Sequence, residues 1–275
     1  MRVERHSDPA AYERLVTPLL LEDEPRYNLE LAIIGKVAAG EYTDPPPVLL
    51  SVHDDGGALV GAAFQTPPYN LGLGATPPEA APYVADWAAD HDVTPPGILG
   101  SVETVAAFAA RYQERTGRVA RTSRDQGVYV LHTLIPPRPT TGALRLVTHD
   151  EAGLVTEWDH AFVAEVALPA HAGGHVHERI DEGLVWFWDD GGPVTLVACG
   201  GMTPHGARIG PVYTPPEFRN RGYASAATAA ASREMFDRGR DFCFLYTDLA
   251  NPTSNGIYRA IGYQHVTDVR EATFD

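Results

Sequence analysis

One stretch, VYTPPEFRNRGYASAATAAASREMF at residues 212–236, limits the fold more than any other. An apolar run over 207–213 reads as a strand. It breaks at a proline turn, passes through Arg219-Asn220-Arg221-Gly222-Tyr223-Ala224, and enters an alanine-rich helix over 222–238 that stops at Gly239. A second apolar run over 242–247 follows. Strand, helix and strand in that order make a βαβ unit, so the two strands should lie parallel. Around this unit the pattern predicts a strand at 144–147, a helix over 151–166, a hairpin of 183–188 with 194–199, a short helix over 253–261 and a last strand at 263–269.

The chain of 275 residues is long enough for two domains. The segment 135–142, IPPRPTTG, holds three prolines and divides the chain into halves of similar size. The expected partition is therefore a domain at 1–135, a linker at 136–142 and a domain at 143–275. The halves echo one another. The turn Asp54-Asp55-Gly56-Gly57 joins two apolar runs in the first, and Asp189-Asp190-Gly191-Gly192 does so in the second. Thr66-Pro67-Pro68 and Thr214-Pro215-Pro216 then close the strand blocks. Tyr112 to Gly117 and Tyr258 to Gly262 end the last helical stretches. Three matches in the same order argue for a duplicated α/β unit.

Charge excludes some functions. The net charge is −15, and Lys36 is the only lysine beside twenty arginines. Such a field repels polyphosphate and disfavours nucleic-acid binding. No apolar run is long enough for a membrane span, and the start of the chain has no signal-peptide core, so a cytoplasmic protein is expected. Cys199 and Cys243 each sit in a strand-like run and read as buried thiols.

An anionic ligand needs a local exception, and residues 217–240 supply it: five arginines face three acids there. Amides of a loop and of a first helical turn have no partners within the helix and point outward at the positive end of its dipole. That arrangement suits a phosphate or pyrophosphate. Gly222 and Ala224 allow close approach, while Arg219 and Arg221 add charge. The spacing is neither G-x-x-x-x-G-K-[ST] nor G-x-G-x-x-G. The plain alternative is a helix start with arginines in solvent.

Here the sequence resembles the GNAT N-acetyltransferase superfamily, whose acetyl-CoA loop Q/R-x-x-G-x-G/A is matched by Arg219-x-x-Gly222-x-Ala224. A second element matches at the family's distance: Asn251-Pro252-Thr253-Ser254-Asn255, then Tyr258, then Gly262-Tyr263. The resemblance implies an α+β architecture of tandem GNAT-like folds, each a mixed central sheet flanked by helices. It also implies that the parallel strands at 207–213 and 242–247 splay around acetyl-CoA, the co-substrate. Val212, Tyr213 and Thr214 would meet its pantetheine arm, with a backbone N–H of Val212 or Tyr213 polarising the thioester carbonyl. Arg219, Asn220, Arg221, Gly222, Tyr223, Ala224 and Ser225 would hold its pyrophosphate, and Asn251 and Asn255 would complete the contacts. Tyr258 would be the catalytic acid toward the leaving thiolate, since a phenol of pKa about 10 is protonated at neutral pH. The acceptor would be the amine of a small molecule or peptide, with no metal, nucleic acid or membrane involved. Oligomeric state stays open.

Alternatives accompany these roles. Tyr258 is either the acid or a core aromatic, and Asn251 either contacts the ligand or caps a helix. No carboxylate lies on the strand at 207–213, so Glu165, Glu182 and His205 are the nearby candidates for a base. His171, His175 and His177 raise a metal-assisted hydrolase as a rival, weakened by Gly173-Gly174 and by the lack of an H-E-x-x-H pattern. Trp186 and Trp188 share one strand face and either line an acceptor pocket or fill the core. The first half lacks the arginine loop: Leu71-Gly72-Leu73-Gly74 runs into Pro77-Pro78, which removes two N–H donors. It reads as a degenerate GNAT-like domain that has lost acetyl-CoA binding and completes the acceptor pocket. A non-catalytic acyl-CoA-binding or regulatory module is the rival from another class.

Overall fold

A computed structural model describes residues 1–168 and 176–275. In chain order the elements are β1 (Arg2–His6), α1 (Pro9–Leu20), α2 (Asn28–Ala38), β2 (Val48–His53), β3 (Leu59–Gln65), β4 (Leu71–Gly72), α3 (Ala81–Asp90), β5 (Gly97–Ser101), α4 (Val102–Thr116) and β6 (Ala120–Leu131). There follow β7 (Ala143–Leu146), α5 (Ala152–Glu165), β8 (Val185–Asp189), β9 (Pro193–Gly200), β10 (Gly206–Tyr213), α6 (Tyr223–Asp237), β11 (Phe242–Asp248), α7 (Pro252–Ala260) and β12 (Gln264–Phe274).

The chain forms two compact units. One holds residues 1–128, 246–250 and 266–275; the other holds 129–245 and 251–265. They interleave, whereas the sequence suggested a single cut at 136–142. Two details account for the difference. First, β12 runs on to Phe274 rather than ending near 269, and Val269–Thr273 pairs antiparallel with Ser101–Gly97 of β5. Ala272 and Phe274 are buried there against Phe108 and Tyr112 of α4. Second, residues 136–142 are anchored within the second unit. The Thr140 hydroxyl donates to the Arg221 carbonyl at 2.9 Å, Thr141 donates to Asp190 at 2.7 Å, and Trp188 Nε1 donates to the Thr141 carbonyl at 2.8 Å.

In the N-terminal unit the strands run β1-β2-β3-β4-β5-β12. All neighbours are antiparallel except β4 and β5, which are parallel at Leu71↔Ile98 and Gly72↔Leu99. Alternation along β2 and β3 sends Leu50, Val52 and Ala63 to the face covered by α3 and α4. Leu49, Ala62 and Phe64 go to the face covered by α1 and α2. Helix starts follow their caps. Asp8 accepts from the Ala10 and Ala11 amides ahead of α1, and Ser101 accepts from Thr104 ahead of α4.

In the C-terminal unit the order is β11-β10-β9-β8-β7. The pairs β7–β8, β8–β9 and β9–β10 are antiparallel, and β10–β11 is parallel, as the βαβ reading required. Val185, Phe187, Leu196 and Ala198 face α5, while Trp186, Val197, Cys199 and Ala207 face the alanines of α6. Small residues on α6 let that helix lie close to the sheet. Trp186 is 2 % exposed within this core and carries the Arg238 guanidinium 5.5 Å over its ring. Trp188 packs against the same cluster. Trp186 therefore fills the core, and Trp188 packs on its edge. Cys199 and Cys243 are buried free thiols, and burial raises their pKa values to about 11 and about 12. Each unit thus has a mixed sheet flanked by helices. No helix among the described residues is long and apolar enough to cross a membrane.

Candidate active site

The site begins where β10 and β11 part. Their parallel pairing covers only Gly206↔Phe242, Ala207↔Cys243 and Arg208↔Phe244. Beyond that, Val212 and Tyr213 keep their partners Val197 and Leu196 on β9, after a bulge between Ile209 and Val212. The other edge of β10 is left open along its last residues. A cavity of about 600 Å³ lies beside these last residues of β10, with the end of α5, the loop into α6 and α7 around it.

Eleven of the residues singled out in the sequence surround this cavity. They are Val212, Tyr213 and Thr214 on β10; Arg219, Asn220, Gly222, Tyr223, Ala224 and Ser225 on the loop and first turn of α6; and Asn251 and Tyr258 on α7. Arg221 and Asn255 stand off its wall. The Arg221 guanidinium turns back to the Glu217 carbonyl at 3.3 Å, and Asn255 is buried at 8 % exposure on α7. Phe162 and Glu165 from α5, Val166 just past its end and Ile257 from α7 also border the cavity. No spacing rule tied α5 to this loop, so the sequence placed none of its apolar residues there.

Local backbone explains the loop. Asn220 has φ of 63° and Gly222 has φ of 84°, both left-handed. Asparagine tolerates this region and glycine enters it without strain. Gly222 is the N-cap of α6 and supplies no side chain to the helix, so the first helical hydrogen bond is Ala226 N–H to the Gly222 carbonyl. The amides of Tyr223, Ala224 and Ser225 consequently have no helical acceptor. The Tyr223 hydroxyl donates to Asp190 Oδ2 at 2.5 Å, which pins the start of α6 to the hairpin turn. That bond, with the one from Thr141, holds the Asp190 carboxyl below its ordinary pKa.

Charge at the loop is more balanced than the arginine count suggests. Arg219 donates through Nη2 to Glu165 Oε2 at 2.5 Å and through Nε to the Thr214 carbonyl at 2.9 Å. Its guanidinium also lies 6.0 Å from the centre of the Tyr213 ring. Glu165 is thus an ion-pair partner rather than a free base. Glu182 and His205 are exposed and do not border the cavity.

On the opposite wall, Asn251 caps α7 by accepting from the Ser254 amide at 3.1 Å, and Pro252 takes the first helical position. Two turns on, the Tyr258 ring sits edge-on to Tyr263 at 6.0 Å. Burial raises the Tyr258 phenol to about 12. His171 and His175 lie outside the described residues, and His177 is exposed on a short 3-10 turn at Val176–Arg179. Among the described residues no three His, Cys, Asp or Glu side chains are grouped to hold a metal.

This arrangement fits a long anionic ligand with an extended arm: outward amides at a helix start, an open strand edge, and a protonated phenol across the gap. Comparison with known proteins agrees with it. Residues 191–271 match the FR47-like protein family model. No curated protein sequence matches the chain. An acetyltransferase of the GNAT family from Colwellia psychrerythraea is similar in structure at TM-score 0.54 and 12 % identity, over 100 % of this chain and 99 % of that one. A GCN5-related N-acetyltransferase from Sphaerobacter thermophilus is similar at TM-score 0.59 and 16 % identity, over 98 % and 94 %. A tandem GNAT protein from the clavulanic acid biosynthesis pathway is similar at TM-score 0.56 and 15 % identity, over 99 % and 98 %. The fold of this chain is thus similar to that of GNAT acetyltransferases, a tandem GNAT protein among them, and residues 191–271 of its C-terminal half match the FR47-like model.

Proposed function

We propose that the C-terminal unit is an N-acetyltransferase, transferring the acetyl group of acetyl-CoA to a primary amine of a small molecule or peptide. The observation that carries this reading is a single cavity flanked on one side by the uncapped start of α6 behind Gly222 and on the other by Tyr258. Acetyl-CoA supplies an activated thioester.

The chain's own residues supply the rest. Amides of Tyr223, Ala224 and Ser225 receive the pyrophosphate at the positive end of α6. Arg219, tethered by Glu165, adds a positive charge of fixed position. The free edge of β10 at Val212 and Tyr213 pairs with the amides of an extended arm, as an added strand would. A backbone N–H there polarises the carbonyl under attack. The amine nitrogen bonds to the acyl carbon, the carbon–sulfur bond breaks, and Tyr258 gives its proton to the departing sulfur. A phenol held at about 12 keeps that proton ready throughout the neutral range. No unengaged carboxylate borders the cavity among the described residues, so the amine arrives neutral, the proton its nitrogen sheds on forming the amide passes to water, and the Tyr258 phenolate takes a proton back from water.

The test is release of free thiol from acetyl-CoA across a panel of primary amines, with wild type and Tyr258→Phe. Amine-dependent release by wild type, lost in the variant while acetyl-CoA still binds, supports an enzyme. Binding with no release for any amine supports instead a module that senses acyl-CoA.

A further inference from the structure

The N-terminal unit has a cavity of its own, of about 230 Å³, where β4 and β5 part. Their last contact is the Leu73 amide on the Leu99 carbonyl at 2.9 Å; the chain then turns at Gly74, while β5 runs on through Gly100, paired with Arg270 of β12. Gly74 is left-handed, and a Cβ there would fall 2.5 Å from the Ala62 carbonyl oxygen, so only glycine fits. Glu30 of α2 lies against it and borders the cavity.

Glu30 is 8 % exposed. Its carboxyl has one hydrogen-bonding partner among the described residues, its own backbone N–H. A buried acid without a cation is costly to keep and calls for a reason. Arg26, also at the cavity, is bound through Nε to Asp23 at 2.9 Å. Thr76 and Thr104 bring hydroxyls to the wall and no charge. The titratable groups that feel Glu30 are Tyr12 of α1 and Tyr27, both raised in pKa and therefore neutral. The loop here is no anion cradle: the Thr76, Ala80 and Ala81 amides are already bonded within it, to Leu73 and Pro77.

We propose that this cavity is a second ligand site, which takes a small primary amine in its ammonium form with the ammonium on the Glu30 carboxylate. Its volume is below the roughly 300–1,000 Å³ of drug-sized sites, so the ligand has only a few heavy atoms. Burial raises Glu30 to about 7, so without a cation the carboxyl takes up a proton near neutrality. Binding an ammonium releases that proton. The site is independent of the acetyl-transfer reading and stands or falls separately.

The experiment is titration of the full chain with n-butylamine, followed by amide chemical shifts at pH 8 and pH 6, with 1-butanol and butyrate as neutral and anionic controls. Shifts at Glu30, Gly74 and Gly100 that saturate with the amine alone, and an affinity about tenfold weaker at pH 6, are the expected result. Glu30→Gln, similar in shape and free of the buried charge, should abolish the shifts. Equal response to butanol or butyrate, no response at those amides, or amine binding kept by Glu30→Gln would each overturn the proposal. Shifts of the same amides with acetyl-CoA would also overturn it and make the cavity a cofactor site. If Glu30→Gln fails to fold, the wild-type pH dependence and the two controls decide.

Discussion

Arg219 and Glu165 are joined at 2.5 Å across 54 residues of sequence, and the same guanidinium holds the Thr214 carbonyl at 2.9 Å. The Arg219 charge is therefore positioned and partly neutralised before any ligand arrives. Both side chains are partly exposed, so the pair contributes little to stability, about 0–1 kcal/mol. Its effect falls on the ligand. Glu165→Gln should leave the melting temperature within a few degrees and tighten acetyl-CoA binding by about two- to fivefold at low salt. Arg219→Ala should weaken it by about tenfold or more. Calorimetry of both variants at two salt concentrations measures this.

Tyr258→Phe separates acid catalysis from packing. The ring and its contact with Tyr263 stay, and only the hydroxyl goes. Turnover should fall by about 10²–10⁴, the usual range for a positioned acid, with acetyl-CoA affinity unchanged within about twofold. Since the phenol is raised to about 12, wild-type rates should show no decline from its ionisation below about pH 11. A pH–rate profile beside the affinity of the variant tests both points.

Glu30 sets a pH dependence on the stability of the free protein. Unfolded, its carboxyl ionises near 4.5; folded, it keeps its proton until about 7. Between those values the folded state binds more protons, so the contribution falls as pH rises and stays low above about 7. The difference is worth about 3 kcal/mol. Glu30→Gln should raise stability at pH 8 and leave it nearly unchanged at pH 4.5, as read by urea denaturation at the two pH values.

Glu151 has the opposite sign. Arg145 donates to both of its carboxylate oxygens, at 2.7 and 2.8 Å, and holds its pKa down at about 2. Glu151 also accepts from the Thr148 amide in a capping box. Its stabilisation is present above pH 4.5 and is lost as pH falls toward 2. Since Arg145 is 35 % exposed at its side chain, solvent screening reduces the effect, and Glu151→Gln should cost about 1–2 kcal/mol at pH 7. The loss should vanish in denaturant melts near pH 2.

The grouping of residues around the C-terminal cavity was readable because its signals are local. Strand, left-handed glycine, uncapped helix and the asparagine–tyrosine helix follow one another within 65 residues, and each has a composition of its own. Partners from far away were not readable. Nothing in the helix pattern of α5 says that Glu165 meets Arg219. β4 has two residues, too few for an alternating pattern to register. The exchange of 266–275 into the N-terminal unit depends on pairing with β5, 168 residues earlier at Val269↔Ser101. Glu30 shares the buried face of α2 with Ile34 and Val37, at i, i+4 and i+7, but its charge argues for the surface. The linker misled for a different reason. Prolines in 136–142 do make it extended, but its threonines find acceptors on the loop and the hairpin turn.

The most direct test of the proposed acetyl-CoA site is a calorimetric titration of wild type, Gly222→Asn and Gly222→Asp. A Cβ at Gly222 meets nothing closer than Thr140 at 3.9 Å, so both variants have room. Both bear a similar backbone strain at φ of 84° and differ mainly by one charge at the start of α6. Wild type should bind acetyl-CoA in about the micromolar range, Gly222→Asn at most about tenfold more weakly, and Gly222→Asp not at all. Equal affinity of the asparagine and aspartate variants, both folded, would contradict a pyrophosphate on the amides behind Gly222.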